Sequence, residues 1–273
     1  MRVSRPFTSW VGVLSLALSL TISLTMPLTS CQSKENTLTV AATPVPQAEI
    51  LEAVRPALEK QGIRLKIVEV DDYNLPNRLL YEKQVDANFF QHQPYLDEQN
   101  QRFGYDLVAL TTVHIEPLGI YSKKITSLDA LKEGAIIALP SDCTNEARAL
   151  GLLEDLGLIK LKEEKRSQAT IYDIVENPKN IKFEEIDAAF MPCTLADVDA
   201  ALIPANYALQ AHLNPLTDAL ALEPSNSPYA NIVAIGRGDE GREDLQKLKQ
   251  VITSEEMRAF ILKKYHGALT PAF

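Results

Sequence analysis

The sequence predicts a two-lobed α/β protein, and two observations predict it. Extended runs alternate with amphipathic helical runs, the pattern of sheets joined by crossover helices. That rhythm runs once to about residue 122 and then restarts, with a late strand and two helices after the second run. The chain therefore leaves lobe 1, builds lobe 2 and returns. Crossings are expected near Ser122–Ile125 and Leu222–Tyr229, giving lobe 1 residues 37–122 plus 226–273 and lobe 2 residues 123–225.

The first 30 residues stand apart. Arg2 and Arg5 precede the uncharged run "VGVLSLALSLTISLTMPLTS", the layout of a secretory leader. It ends in Leu28, Thr29 and Ser30 before Cys31, a bacterial lipobox pattern. The chemistry expected is diacylglycerol on the Cys31 sulfur and cleavage before it; an uncleaved anchor helix is the other reading. Residues 31–36 then form a lipidated tether.

From there each element has its own signal. "TLTVAAT" alternates as a strand. Ile50, Val54 and Leu58 recur at helical spacing before Gly62, and Pro56 is expected to kink that helix or reset its start. "RLKIVEV" is a strand, "DDYNLPNRLL" a loop entering a helix, "VDANF" a short buried strand, and "PYLDEQNQRFG" a helix ending near Gly104. "LVALTTVHIEPLGIYSKKI" reads as two extended segments. In the second run, "SLDALKEG" is a short helix, "AIIALP" a strand, and "TNEARALGLLEDLGLI" a helix. "IKFEEID" and "DAALIP" are strands separated by a short "TLADV" helix, followed by helical "NYALQAHL". "YANIVAIG" is the late strand, with helices at roughly 242–250 and 254–265.

Composition removes several classes of function. The 273-residue chain carries −9 net charge, and −11 once the leader with its two arginines is gone. Nucleic acid is not an expected partner, because phosphate contacts need clustered Lys and Arg. No stretch after the leader reaches the ~18 apolar residues of a membrane span. The four histidines form no HExxH, there is no CxxC, and no GxSxG or phosphate-loop lysine occurs, so neither metal, cofactor nor catalysis is expected. "GRGDEG" (236–241) matches GxGxxG, but only 32 residues follow and Asp239 and Glu240 would repel a pyrophosphate. Cys143 and Cys193 form an even pair that can oxidise outside the cytoplasm, or stay as two free thiols.

Four clusters fall where strands give way to helices or loops, the end of an α/β sheet where ligands bind. They are Asp72, Tyr73, Pro76 and Asn77; Phe89, Phe90, His92 and Tyr95; Asp142, Asn145 and Arg148; and Tyr229 with Asn231. In the third, a helix start rich in N-cap residues favours an anion, and Arg148 one turn in can pair with a carboxylate. A plain capping motif with a surface ion pair is the alternative. In the second, aromatic faces suit a thioether or another flat apolar group, or else fill a core. Asn77, Asn206 and Asn231 each donate and accept. Together these parts describe a cleft for a zwitterion with an apolar tail.

The stretches "DDYNLPNRLL", "DANFFQHQPYLDEQ", "HIEPLGIYSKK", "SDCTNEARAL", "DVDAALIPANYAL" and "SPYANIVAI" resemble the methionine-binding lipoproteins of the NlpA type, substrate-binding components of methionine importers. The resemblance implies a type II periplasmic-binding-protein-like fold, each lobe a mixed sheet flanked by helices, closing on a free amino acid. It implies Tyr73, Phe89, His92 and Tyr95 around the ligand side chain, and Asn145, Arg148 and Asn231 on its α-carboxylate and α-amino groups. It implies a monomer held to a bacterial membrane through lipid on Cys31, facing the periplasm or cell exterior. Its partners are then an ABC permease and its ATPase. Two departures stand out: Cys143 replaces proline or a small residue, and "IPANY" puts Pro204 where many relatives carry asparagine. A different ligand (D-methionine, methionine sulfoxide, a small peptide or another apolar amino acid) or an adhesive surface role with a vestigial cleft are the rival expectations.

Overall fold

The computed structural model describes residues 36–224 and 226–273. The leader and Cys31 lie outside the described residues.

The first lobe's elements are β1 (Asn36–Ala42), α1 (Glu49–Glu59), β2 (Ile63–Glu69), α2 (Leu75–Tyr81), β3 (Ala87–His92), α3 (Gln93–Phe103) and β4 (Leu107–Ile115). The chain then crosses and forms β5 (Leu118–Tyr121), β6 (Ile136–Pro140), α4 (Cys143–Asp155), β7 (Lys160–Leu161), β8 (Ile174–Glu176), β9 (Lys182–Ile186) and α5 (Met191–Thr194). It continues with β10 (Ala200–Pro204), α6 (Ala205–Gln210), α7 (Pro215–Asp218) and β11 (Ala219–Leu222). The return brings β12 (Ala230–Gly236), α8 (Glu243–Ile252), α9 (Glu255–Lys264) and β13 (Thr270–Pro271).

Two mixed sheets result. The first runs β13-β4-β12-β3-β1-β2, with β1 parallel to β2 and β3, and β12 antiparallel to both β3 and β4. The second runs β11-β5-β10-β6-β9, parallel across β10, β6 and β9 and antiparallel at β5 and β11. Strands β7 and β8 pair separately. Sheets with helices on both faces need strands that are apolar on both sides. Accordingly, every residue of β3 and β10 is buried.

The alternation of a strand then sorts side chains between two layers. In lobe 1, Leu38, Val40 and Phe89 pack with Ile50, Val54 and Leu58 of α1 and with Leu245, Leu248 and Ile261 of the C-terminal helices. Ala41, Ile232 and Ala234 face the other way, towards Leu80 and Leu96. In lobe 2, Ile137, Leu139 and Leu202 pack on Leu150 and Leu153 of α4, while Ala138, Ala201 and Ile203 meet Met191 and Tyr207.

Three expectations change. Strand β5 pairs with β10 and β11, so the first crossing lies at Glu116–Pro117 rather than Ser122–Ile125. Both segments of "HIEPLGIY" read as extended, and only nonlocal pairing tells which sheet each joins. Gly119 is required there, because a Cβ would stand 2.7 Å from the Tyr121 ring. Helix α1 runs through Pro56 rather than restarting at it. Cys143 and Cys193 are both free and exposed, so the disulfide alternative is not the one formed: one opens α4 and the other sits in α5. Among the described residues, no helix is long and apolar enough to cross a membrane.

Candidate functional site

A cavity lies between the lobes. Lobe 1 contributes Tyr73, Phe90, Gln91, His92, Tyr95 and Asn231; lobe 2 contributes Asn145, Arg148, Pro204, Ala205 and Asn206; Glu116 stands at the crossing. Several of these follow the carboxyl ends of β3, β6 and β10, the expected place for a ligand in such sheets.

One end is aromatic. Tyr73 lies 5.8 Å from Phe90 and 5.9 Å from Tyr95, and Phe90 meets Tyr95 edge-on at 5.8 Å. Phe89 is not part of this wall: it is fully buried beneath the sheet and packs edge-on to His114 at 5.5 Å. Consecutive strand residues point to opposite faces, so Phe89 and Phe90 cannot share a role. The register with β12 also jumps between Gln91 and Phe89. A bulge of this kind re-aims side chains, and Phe90, Gln91 and His92 all reach the cavity. Beneath Gln91, Asn77 and Asn88 satisfy its amide at 2.7–3.0 Å.

His92 ends β3 and caps α3. Its Nδ1 accepts from the Tyr95 N–H at 3.2 Å, which leaves the proton on Nε2 to donate to Asn145 Oδ1 at 3.2 Å. Burial, then the charge of Arg148, lowers its pKa to about 3. His92 is therefore a neutral donor at any ordinary pH.

Asn145 and Arg148 lie three residues apart and share one face of α4. The N-terminus of α4 is not open to an outside anion. Asp142 caps it, accepting from the Asn145 N–H and side-chain amide at 3.0 Å and from Thr144 Oγ1 at 3.0 Å. Burial raises the Asp142 pKa against these hydrogen bonds. Both ends of the Asn145 amide are thus engaged, with His92 and with Asp142. Arg148 is buried and lies 4.4 Å over the Tyr229 ring. Its Nε bonds Glu223 at 3.0 Å, and its Nη2 bonds Glu223 and the Glu116 carbonyl, the latter at 2.7 Å.

Glu116 is the charged residue that sequence reasoning missed. Its Oε1 accepts from Gln47 Nε2 and contacts His114 Nε2 at 2.6 Å. Among the described residues Oε2 has no partner, so a carboxylate oxygen remains for a cation in the cavity. Gln47 also donates to Asn231 Oδ1 at 3.1 Å. Asn206 accepts from Tyr73 OH at 2.7 Å, while its buried Nδ2 has no partner. An unpaired buried donor costs about 1–3 kcal/mol, which a ligand acceptor would recover. "HIEPLG" carried a signal for Glu116 only as a charge among apolar residues next to a proline.

The cavity therefore opposes an aromatic end to a polar end holding one guanidinium, one carboxylate and several amides. Among the described residues no cluster of His, Cys, Asp or Glu is suited to a metal.

The chain is 39% identical over 267 residues to the methionine-binding lipoprotein MetQ of Bacillus subtilis, covering 96% of this chain and 97% of that protein. A nutrient-binding protein from Burkholderia cenocepacia, solved bound to methionine, superposes with a TM-score of 0.84 at 44% identity, over 86% of this chain and all of that one. A periplasmic substrate-binding protein of an ABC transporter from Coxiella burnetii superposes with a TM-score of 0.83 at 43% identity, again over 86% and 100%. The NlpA lipoprotein profile matches residues 38–273. The chain belongs to the NlpA lipoprotein family, whose members are substrate-binding proteins rather than enzymes.

Proposed function

We propose that this protein captures L-methionine, or a close relative, between its lobes and delivers it to an ABC importer. The observation that carries this is the polarity of the cavity: an aromatic wall faces Arg148 and Glu116, which bear the charges complementary to a zwitterion. Tyr73, Phe90 and Tyr95 receive the thioether, whose sulfur gains ~0.3–1.5 kcal/mol at an aromatic ring. Glu116 Oε2 takes the ammonium. The carboxylate meets Arg148 together with the side-chain amide of Asn231. His92 and Asn145 hold that arrangement in place. The names of the relatives, which include binding of methionine and membership of an ABC transporter, support the same reading.

Closure follows from differential affinity, since ligand contacts residues of both lobes only in the closed form. Lipid on Cys31 keeps the protein at the outer side of the cytoplasmic membrane or on another bacterial membrane, near its permease and ATPase. Leader cleavage before Cys31 and the boundaries 37–117 plus 226–273 and 118–225 for the two lobes belong to the same proposal.

A second ligand is favoured by one feature. Asn206 Nδ2, unpaired, lies beside Tyr73 at the aromatic wall, and Pro204 lines the cavity next to it. A donor there suits an oxygen on the side chain, as in methionine sulfoxide.

The test is thermal unfolding of a soluble form starting after Cys31, refolded to remove retained ligand. L-methionine, D-methionine, methionine sulfoxide and leucine are compared. A ligand at a hundredfold excess over Kd stabilises by about 2.7 kcal/mol. Stabilisation by L-methionine, weaker or absent with the others, supports the proposal. Stabilisation by methionine sulfoxide alone replaces the ligand. No stabilisation across these and a peptide panel, in folded protein, overturns the reading in favour of a surface lipoprotein with a vestigial cleft.

A further inference from the structure

Arg148 is attached to both segments on which the chain passes between its sheets. Its Nη2 donates to the Glu116 carbonyl in the first segment, at 2.7 Å. Its Nε is shared between the two oxygens of Glu223 at 3.0 and 3.1 Å, at the start of the second. Its face lies 4.4 Å over Tyr229, at the end of that segment. Glu223 is itself anchored across to β5: its N–H donates to the Leu118 carbonyl at 2.9 Å, and the Leu118 N–H donates to Glu223 Oε2 at 3.3 Å. The two side chains are only 5% and 10% exposed. A buried guanidinium requires a partner, and a carboxylate engaging two of its nitrogens fixes the plane of the fork.

We propose that Glu223 is a positioning residue for ligand recognition. It occupies the Nε/Nη2 edge of Arg148, so the guanidinium presents its remaining nitrogen, Nη1, to the cavity. Among the described residues Nη1 makes no hydrogen bond. The ligand carboxylate then reads a single, fixed donor on the arginine. Discrimination for a free α-carboxylate thus rests on a residue outside the cavity wall, built into the segment on which the chain returns to the first sheet. This inference rests on the proposed ligand and adds the source of its selectivity.

The experiment measures Kd by calorimetry for L-methionine and for L-methioninol, in which a hydroxymethyl group replaces the carboxylate. Wild-type protein and Glu223→Gln are compared. The amide keeps the size of Glu223 but sets an NH2 against the arginine N–H groups and removes the charge. Binding of L-methionine is expected to weaken at least tenfold, while L-methioninol changes less than threefold, so the ratio of the two constants collapses. A merely structural role would weaken both alike, and that result overturns the proposal. So does an unchanged ratio. If Glu223→Gln does not fold, Glu223→Asp is read in the same way. Its carboxylate is withdrawn by roughly 1.5 Å, one carbon–carbon bond, and the ratio must again fall. Wild-type protein that binds neither compound overturns the ligand itself, an outcome distinct from a wild type that discriminates and a variant that still does.

Discussion

Replacing each phenylalanine of the pair at 89 and 90 by alanine separates the core from the cavity. Phe89 is fully buried among Val40, Val54 and Leu245 and packs on His114. Phe89→Ala removes a buried ring and leaves a void, at a cost of about 3–5 kcal/mol. For a chain of this size 1 kcal/mol moves Tm by roughly 2–4 °C, so the fall is roughly 6–20 °C. The rise on adding ligand should persist, because Phe89 has no atom on the cavity. Phe90→Ala should do the reverse. Its ring stands 5.8 Å from both Tyr73 and Tyr95. Losing it strips one apolar face from the ligand side chain, worth about 1.5–3 kcal/mol of burial, or roughly 10–150-fold in Kd. Differential scanning fluorimetry with and without L-methionine, followed by calorimetry, reads both quantities. If Phe89→Ala abolishes binding while leaving Tm unchanged, or Phe90→Ala keeps wild-type affinity, the face assignment from strand alternation and the β3 bulge is wrong.

Acid should destabilise the protein partly through His92. Its folded pKa of about 3 lies below the unfolded value of about 6.5, so the unfolded state binds the extra proton between these values. Stability from neutral His92 is full above pH ~6.5 and is lost as pH falls towards 3, by up to about 1.4 kcal/mol per unit. His92→Gln should flatten the stability profile in that window, read by denaturant titration at several pH values. Glu146 acts oppositely. Burial raises its pKa to about 7 while its carboxylate accepts from the Ile171 N–H at 2.9 Å. Its contribution is therefore present below about 4.5 and lost as pH rises through 7. Glu146→Gln should stabilise by about 1–3 kcal/mol above pH 7 and by little at pH 4.5. Asp142→Ala removes the α4 cap, with an expected loss of about 1–2 kcal/mol, and also frees Asn145, so ligand affinity should fall; circular dichroism melts and calorimetry check the two effects. Two thiols per chain should titrate in the native protein lacking Cys31, and reducing agent should leave its Tm unchanged, because Cys143 and Cys193 are free.

Much of the architecture was legible locally. Alternation with period two marks β1 and β2, helical spacing of Ile50, Val54 and Leu58 marks α1, and both properties belong to neighbouring residues. Tyr73, His92, Tyr95, Asn145, Arg148 and Asn231, singled out in the sequence, all line one cavity. The short β11, β13 and the β7–β8 pair were not legible, since two to four residues carry no periodicity and exist only through partners elsewhere.

By itself the sequence determined the element types, the doubling of the α/β rhythm, the N-terminal leader pattern and the capping chemistry at Asp142. All of these rest on interactions within one turn or one strand. Only the tertiary structure decided the rest. A bulge against β12 put Phe90 rather than Phe89 at the cavity. Pairing with β10 moved β5 into the second sheet. Glu116 and Glu223 met Arg148 from 32 and 75 residues away. Such contacts depend on how sheets register and cross, a property of the assembled chain that no local window of residues contains.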